Sequence, residues 1–160
     1  MVSTNNVIRL LESKKISFQV FTLPPEKIGA IETAQILGVP AELVYKTIVI
    51  LREKPGKPVL AVVPGSHEVD LKALAQVIGE KKVHLPTERE AESLTGLQAG
   101  GISPLALINR GFQTIIDSAA IGFEQIHISG GQRGINIRLP VSALILLTNA
   151  KTGTISKIQG

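Results

Sequence analysis

Leu43-Val44-Tyr45-Lys46-Thr47-Ile48-Val49-Ile50-Leu51, with Val59-Leu60-Ala61-Val62-Val63 just downstream, is the stretch on which the fold turns. Val44–Leu51 is dense in β-branched residues, which suit a pleated, packed surface. Between the two runs stands Lys54-Pro55-Gly56-Lys57, where proline presets φ and glycine admits positive φ. The pair therefore reads as a β-hairpin. Lys46 opens the otherwise apolar first strand. A lysine there is either an edge device that snorkels outward or a charge drawn into a pocket.

Upstream of the hairpin, Val7, Ile8, Leu10 and Leu11 give a first helix its apolar stripe, with Ser3 or Thr4 as its cap. Ile16–Leu23 alternates as a half-buried strand and stops at Pro24-Pro25. Thr33–Leu37 lies in a short helix closed by Gly38.

Downstream, Asp70 caps a helix carrying Leu71, Leu74, Ala75 and Ile78, closed by Gly79. Lys81–Leu85 reads as a short strand, and Thr87 with Glu90 as the capping box of a helix reaching Leu94. A glycine-rich loop covers Gly96–Pro104. Gln113–Asp117, Gln125–Ser129 and Ile135–Leu139 read as strands, Val141–Leu147 as a helix started by Pro140, and Thr154–Ile158 as a last strand. Strands occur both in hairpins and between helices, so the sheet is mixed and the class is α+β rather than doubly wound. The 160 residues suit a single domain, residues 1–160, with no internal repeat.

Composition excludes several functions. With no cysteine the chain cannot supply a disulfide, a Cys-ligated zinc or a thiolate nucleophile. Only 3% of residues are aromatic, too few for a platform that stacks single-stranded bases. A net charge of +4 permits weak attraction to phosphates without a polybasic arm. The N-terminus lacks the pattern of a signal peptide, and Ala143–Leu147 falls far short of the about 18 apolar residues of a membrane span. The expected setting is the cytoplasm, with no membrane partner.

His67 is placed in a loop and His84 and His127 in strands, each as a surface or satisfied histidine. None is spaced from another as metal ligands are, so no metal and no cofactor is expected. Lys46-Thr47 resembles the end of a phosphate-binding loop but lacks its glycines. Ser129-Gly130-Gly131-Gln132-Arg133-Gly134 joins two strands, as a hairpin loop or as an open loop with backbone N–H groups and one hydroxyl on a cleft. Gly100-Gly101-Ile102-Ser103-Pro104 is equally two-sided: a turn, or a loop that offers N–H groups to a developing oxyanion. A Ser–Lys dyad of Ser103 or Ser129 with Lys46 is a further arrangement these residues allow.

Taken in order, five segments resemble one family. They are Ile16-Ser17-Phe18-Gln19-Val20, Leu43-Val44-Tyr45-Lys46-Thr47, Gly100-Gly101-Ile102-Ser103-Pro104, Thr114-Ile115-Ile116-Asp117 and Ser129-Gly130-Gly131-Gln132-Arg133-Gly134. Together they resemble the YbaK / prolyl-tRNA-synthetase-associated editing domain, in its free-standing Cys-tRNA(Pro) deacylase form, over nearly the whole chain. The resemblance implies a mixed, barrel-like sheet flanked by helices and an aminoacyl-tRNA deacylase acting in trans. It implies catalytic roles for Lys46, Gly100 and Gly101. Thr47, Ile102, Ser103, Pro104, Ser129, Gly130, Gly131 and Asn136 would bind substrate. Lys81, Lys82 and Arg133 are the candidate tRNA phosphate contacts, and prolyl-tRNA synthetase a candidate partner. The attacking group would be water, or the 2′-hydroxyl or thiol of the substrate itself; the thiol route would make the enzyme a lyase. Leu23-Pro24-Pro25-Glu26-Lys27 stands where the free-standing deacylases carry a Tyr- and His-containing segment, and Asn136 where they carry Asp. Both touch the expected pocket wall. Cysteine is the first expected amino acid, with alanine or another small residue second. The rival is a non-catalytic module of this fold that binds tRNA or a synthetase.

Overall fold

In the computed structural model, which describes residues 5–159, the hairpin forms as read. In chain order the elements are α1 (Asn6–Ser13), β1 (Gln19–Thr22), α2 (Ala30–Leu37), β2 (Tyr45–Arg52), β3 (Val59–Pro64) and β4 (His67–Val69). Then follow α3 (Leu71–Ile78), β5 (Val83–His84), α4 (Glu88–Thr95), β6 (Gln113–Asp117), β7 (Gln125–Ser129) and β8 (Ile135–Pro140). The last are α5 (Val141–Thr148), β9 (Lys151–Gly153) and β10 (Ser156–Ile158).

β2 and β3 pair antiparallel from Tyr45↔Pro64 to Ile50↔Val59, inside a five-stranded sheet of order β5-β2-β3-β6-β9. β3–β6 and β6–β9 are parallel, so the sheet is mixed. A second sheet, β1-β8-β7, is antiparallel, and a single parallel bridge from Val44 to His127 joins it to the first. β4 and β10 form a separate pair.

Every residue of β3 is buried because both faces of its sheet are covered. On one face Ile50, Val59, Ala61, Val63 and Ile115 pack with Leu74 and Ala75 of α3. On the other, Tyr45, Val62 and Ile116 meet the inward residues of β7 and β8, Leu11 of α1 and Leu144 of α5. Truncating a fully buried leucine of this core such as Leu144 to alanine removes about 2–5 kcal/mol.

The local punctuation acts as its chemistry dictates. The Asp70 carboxylate accepts from the Ala73 N–H, Thr87 and Glu90 form the reciprocal box, and Gly38, Gly79 and Gly96 end their helices left-handed. The first helix is capped by Asn5, whose side chain accepts from the Ile8 N–H at 2.9 Å; Ser3 and Thr4 lie outside the described residues. Four boundaries differ from the sequence reading. Ile16–Leu23 contributes only Gln19–Thr22 to a ladder, since pairing with β8 begins at Gln19, although Ile16 and Phe18 still pack on the core. Lys81–Leu85 contributes only Val83–His84, the two residues opposite Arg52 and Leu51 of β2. His67 lies in a strand rather than a loop, because Ile158 of β10 pairs with it. The last strand is shortened to Ser156–Ile158, because Ile155 turns fully inward with its N–H held by the Asp117 carboxylate at 2.9 Å; β9, at Lys151–Gly153, is a separate strand that the sequence reading did not include.

Candidate active site

The fold leaves one stretch of strand edge open where a site can form. β2 is paired with β3 along Tyr45–Ile50, but on its other side the ladder partners are only β5 at Leu51 and Arg52 and the Val44 bridge. Between those two anchors the edge borders a cleft of about 480 Å³. Its remaining walls are the strap from Leu23 to Ala30, the Leu85–Glu88 lead into α4, Gly100 and Ile102, and the β7–β8 end with Ser129, Gly134 and Asn136.

Lys46 lies on this cleft, on the β2 face that also carries Ile48 and Ile50. It is half-buried, the pocket alternative rather than the edge device. Its Nζ reaches the Gly65 carbonyl at 3.5 Å, and no carboxylate lies within salt-bridge distance among the described residues. Burial lowers its affinity for a proton, and the charge of Glu68 partly restores it. The result is a cation whose charge is not already neutralised at contact range, on a wall otherwise made of strand.

The two glycine loops meet beside it. A Cβ on Gly101 would stand 2.8 Å from Gln132 Cα and 2.9 Å from the Arg133 nitrogen, so only glycine allows the loops to touch. Arg133 reinforces the contact by donating from Nε to the Ala99 carbonyl at 2.7 Å. Gly101 donates its own N–H to Gln98, whereas the N–H groups of Gly100 and Ile102 have no protein acceptor among the described residues. Gly100 has φ +88, a left-handed conformation that favours glycine.

The residues expected in the site thus divide. Lys46, Thr47, Gly100, Ile102, Ser129 and Asn136 come together on the cleft. Gly101, Ser103, Pro104, Gly130 and Gly131 stand behind it. Ser103 is fully buried and its Oγ accepts from the Leu105 N–H, while the Gly130 N–H is spent on Ile135 and the Gly131 N–H on Ser129 Oγ. Neither Ser103 nor Ser129 is hydrogen-bonded to Lys46, so no Ser–Lys dyad is assembled here. Lys81 and Lys82 are exposed on the turn after α3, off the cleft, and Arg133 is engaged as the strut between loops.

The remaining histidines have ordinary partners: His67 Nδ1 meets Ser156 Oγ at 3.0 Å, and His84 lies beside Glu53. Among the described residues no group of His, Asp or Glu is arranged to hold a metal. The Leu23–Lys27 segment expected at the pocket wall lines the cleft at Leu23, Glu26 and Lys27, while sequence reasoning missed the Leu85–Glu88 side of the rim. Lys27 of the strap forms an ion pair with Glu88 at the start of α4, and its Cα packs where a Gly100 Cβ would point. The odd Pro24-Pro25 segment was the available signal, since two prolines stiffen a strap that joins no strand ladder and is anchored where the Leu23 N–H donates to the Gly134 carbonyl at 2.8 Å.

Comparison with known proteins identifies this architecture. The crystal structure of hypothetical protein APE2540 matches with a TM-score of 0.87 at 22% identity, over 96% of this chain and 100% of that one, a likeness of fold. A crystal structure provisionally described as a trans-editing enzyme for prolyl tRNA synthetase matches with a TM-score of 0.80 at 25% identity, over 99% and 100%. The fold is therefore that of a YbaK-type editing domain. In sequence, an Enterococcus faecalis protein provisionally named Cys-tRNA(Pro)/Cys-tRNA(Cys) deacylase EbsC is 34% identical over 153 residues, 94% of this chain and 92% of that protein. A proline–tRNA ligase of Thermodesulfovibrio yellowstonii is 33% identical over 81 residues, 51% of this chain but 14% of that enzyme. The aminoacyl-tRNA editing domain model matches residues 25–146. The chain belongs to the aminoacyl-tRNA editing domain family, a class of aminoacyl-tRNA deacylases.

No described helix is long and apolar enough to cross a membrane.

Proposed function

We propose that residues 1–160 act as one editing domain, in trans and in the cytoplasm, on the acceptor end of mischarged tRNA. Cys-tRNA(Pro) is the leading substrate and Cys-tRNA(Cys) a further one, and prolyl-tRNA synthetase is a candidate partner. The observation that carries this reading is that Lys46, Gly100 and Ile102 line one cleft, and that the N–H groups of Gly100 and Ile102 donate to no protein group among the described residues. The name borne by the Enterococcus faecalis relative supports the choice of cysteine.

An aminoacyl ester is already activated, so positioning and oxyanion stabilisation matter more than a strong protein nucleophile. The Gly100 and Ile102 N–H groups donate to the ester carbonyl oxygen as charge develops on it. Lys46 holds the terminal ribose–phosphate and fixes the ester against that loop. Water adds to the carbonyl carbon, the bond to the ribose oxygen breaks, and that oxygen takes the proton. Free amino acid and uncharged tRNA leave. No protein thiol can substitute for water, because the chain has no cysteine; a thiol in the reaction belongs to the substrate.

The experiment is a panel of Cys, Ala and Ser on tRNA(Pro), with Cys on tRNA(Cys), followed over time with the full chain. Cysteine is expected to leave both tRNAs fastest. Fastest release of alanine would move the assignment to a small-residue deacylase. Release at the spontaneous rate throughout would overturn the reading in favour of a binding module.

A further inference from the structure

A buried pair behind the cleft bears on what the site presents to its substrate. Alternation along β7 and β8 sends Ile126, Ile128, Ile135, Ile137 and Leu139 into the core and places His127 and Asn136 together on the opposite face. His127 is 2% exposed and Asn136 4%. The His127 Nδ1 lies 2.8 Å from Asn136 Oδ1, and the Phe21 ring packs on the imidazole with centroids 5.2 Å apart. Asn136 also lines the cleft, and its Nδ2 has neither a protein acceptor nor complete burial among the described residues.

We infer that His127 is a positioning residue for the deacylation: its Nδ1–H holds Asn136 Oδ1 and thereby turns the Asn136 Nδ2–H donors toward an oxygen of the bound ester. The inference rests on the deacylase reading above. Its chemistry is a matter of counting protons. Burial pushes His127 below the ordinary histidine range, with the Asn136 hydrogen bond opposing and the Arg138 charge adding to the effect. A neutral imidazole has one N–H, and a bond to a carbonyl oxygen requires that proton on Nδ1. With Oδ1 taken, the free side of the amide is a donor. A freely rotating amide would offer its oxygen to the ester half of the time, facing an acceptor with an acceptor.

Nitrogen-15 correlation spectra of the full chain, without substrate, read the tautomer directly. The proton is expected on Nδ1 of His127; a proton on Nε2, which makes the ring accept from Asn136 Nδ2, overturns the inference. In parallel, His127→Leu is expected to lower kcat/KM for Cys-tRNA(Pro) by about tenfold, the scale of one misplaced hydrogen bond. His127→Asn, whose amide nitrogen sits where Nδ1 does, is expected to retain most of the activity at a similar melting temperature. Wild-type rates in His127→Leu, or no difference between the two variants, would also overturn it. A wild type that releases no amino acid from any tRNA defeats the deacylase reading instead, and the ring spectrum still decides the His127–Asn136 assignment.

Discussion

The loops Gly100–Pro104 and Ser129–Gly134 share a Gly-Gly pair and a serine, and the two pairs are used differently. In the second, the Gly130 N–H is bonded to Ile135 and the Gly131 N–H to Ser129, so both members of its Gly-Gly pair are spent within the connection. In the first, the Gly101 N–H is spent on its own turn, and those of Gly100 and Ile102, two residues that line the cleft, have no protein acceptor among the described residues. One loop braces and the other presents. What separates the two Gly-Gly pairs is where their N–H groups go, a matter of accounting that is complete only in three dimensions.

That contrast can be broken in graded steps. Gly101→Ala drives a Cβ into the Gln132–Arg133 backbone, and overpacking of this kind costs about 1–3 kcal/mol. For a chain of this size the melting midpoint should fall by roughly 3–10 °C, read by calorimetry. Because the presenting loop then loses its brace, deacylation should fall as well; an unchanged midpoint would show that the loops do not lean on each other.

A second step uses pH. Burial lowers the pKa of Lys46, so its charge is lost as pH rises through a value below that of an ordinary lysine. Deacylation, corrected for spontaneous ester hydrolysis, should decline on the alkaline side by up to about tenfold per pH unit above that value. Lys46→Arg should move the decline out of range. A flat profile in the wild type would remove the charge from the mechanism.

Arg133→Ala loses the bond to the Ala99 carbonyl, worth about 1 kcal/mol by chemical denaturation. If the strut is its role, the salt dependence of KM should match wild type; a shallower salt slope would restore Arg133 as a phosphate contact. The smallest effect belongs to Lys27→Ala at the rim. Its ion pair with Glu88 is about half exposed, which limits it to about 0–1 kcal/mol. A larger change in stability would show that the strap, not the loops, holds the cleft together.

Much of this was legible in the chain because local chemistry and tertiary context agree. The hairpin, the caps at Asp70 and Thr87 and the left-handed ends at Gly38 and Gly79 depend on near neighbours, and they form where the residues specify. The edges of Ile16–Leu23 and Thr154–Ile158 depended on distant partners. Gln19 has β8 opposite it and Ser17 has nothing; Ile155 is drawn inward by Asp117, 38 residues away. At the site, Lys46 and the Gly100 loop stood out as a charge in an apolar strand and as a Gly-Gly pair before proline. Ser103 and Arg133 were misleading for the same reason: a hydroxyl and a guanidinium advertise chemistry, yet here both serve the backbone. The free edge of β2 had no sequence signature at all, since it exists only because β5 and β7 stop short of one another along that strand.

The central claim is that Lys46 and the free N–H groups of the Gly100 loop act together on one ester. Single-turnover release of cysteine from Cys-tRNA(Pro) by Lys46→Ala tests it most directly, with the melting temperature as a control for folding. The account predicts a rate lowered by about a hundredfold or more in a folded protein. Release at the wild-type rate would contradict it.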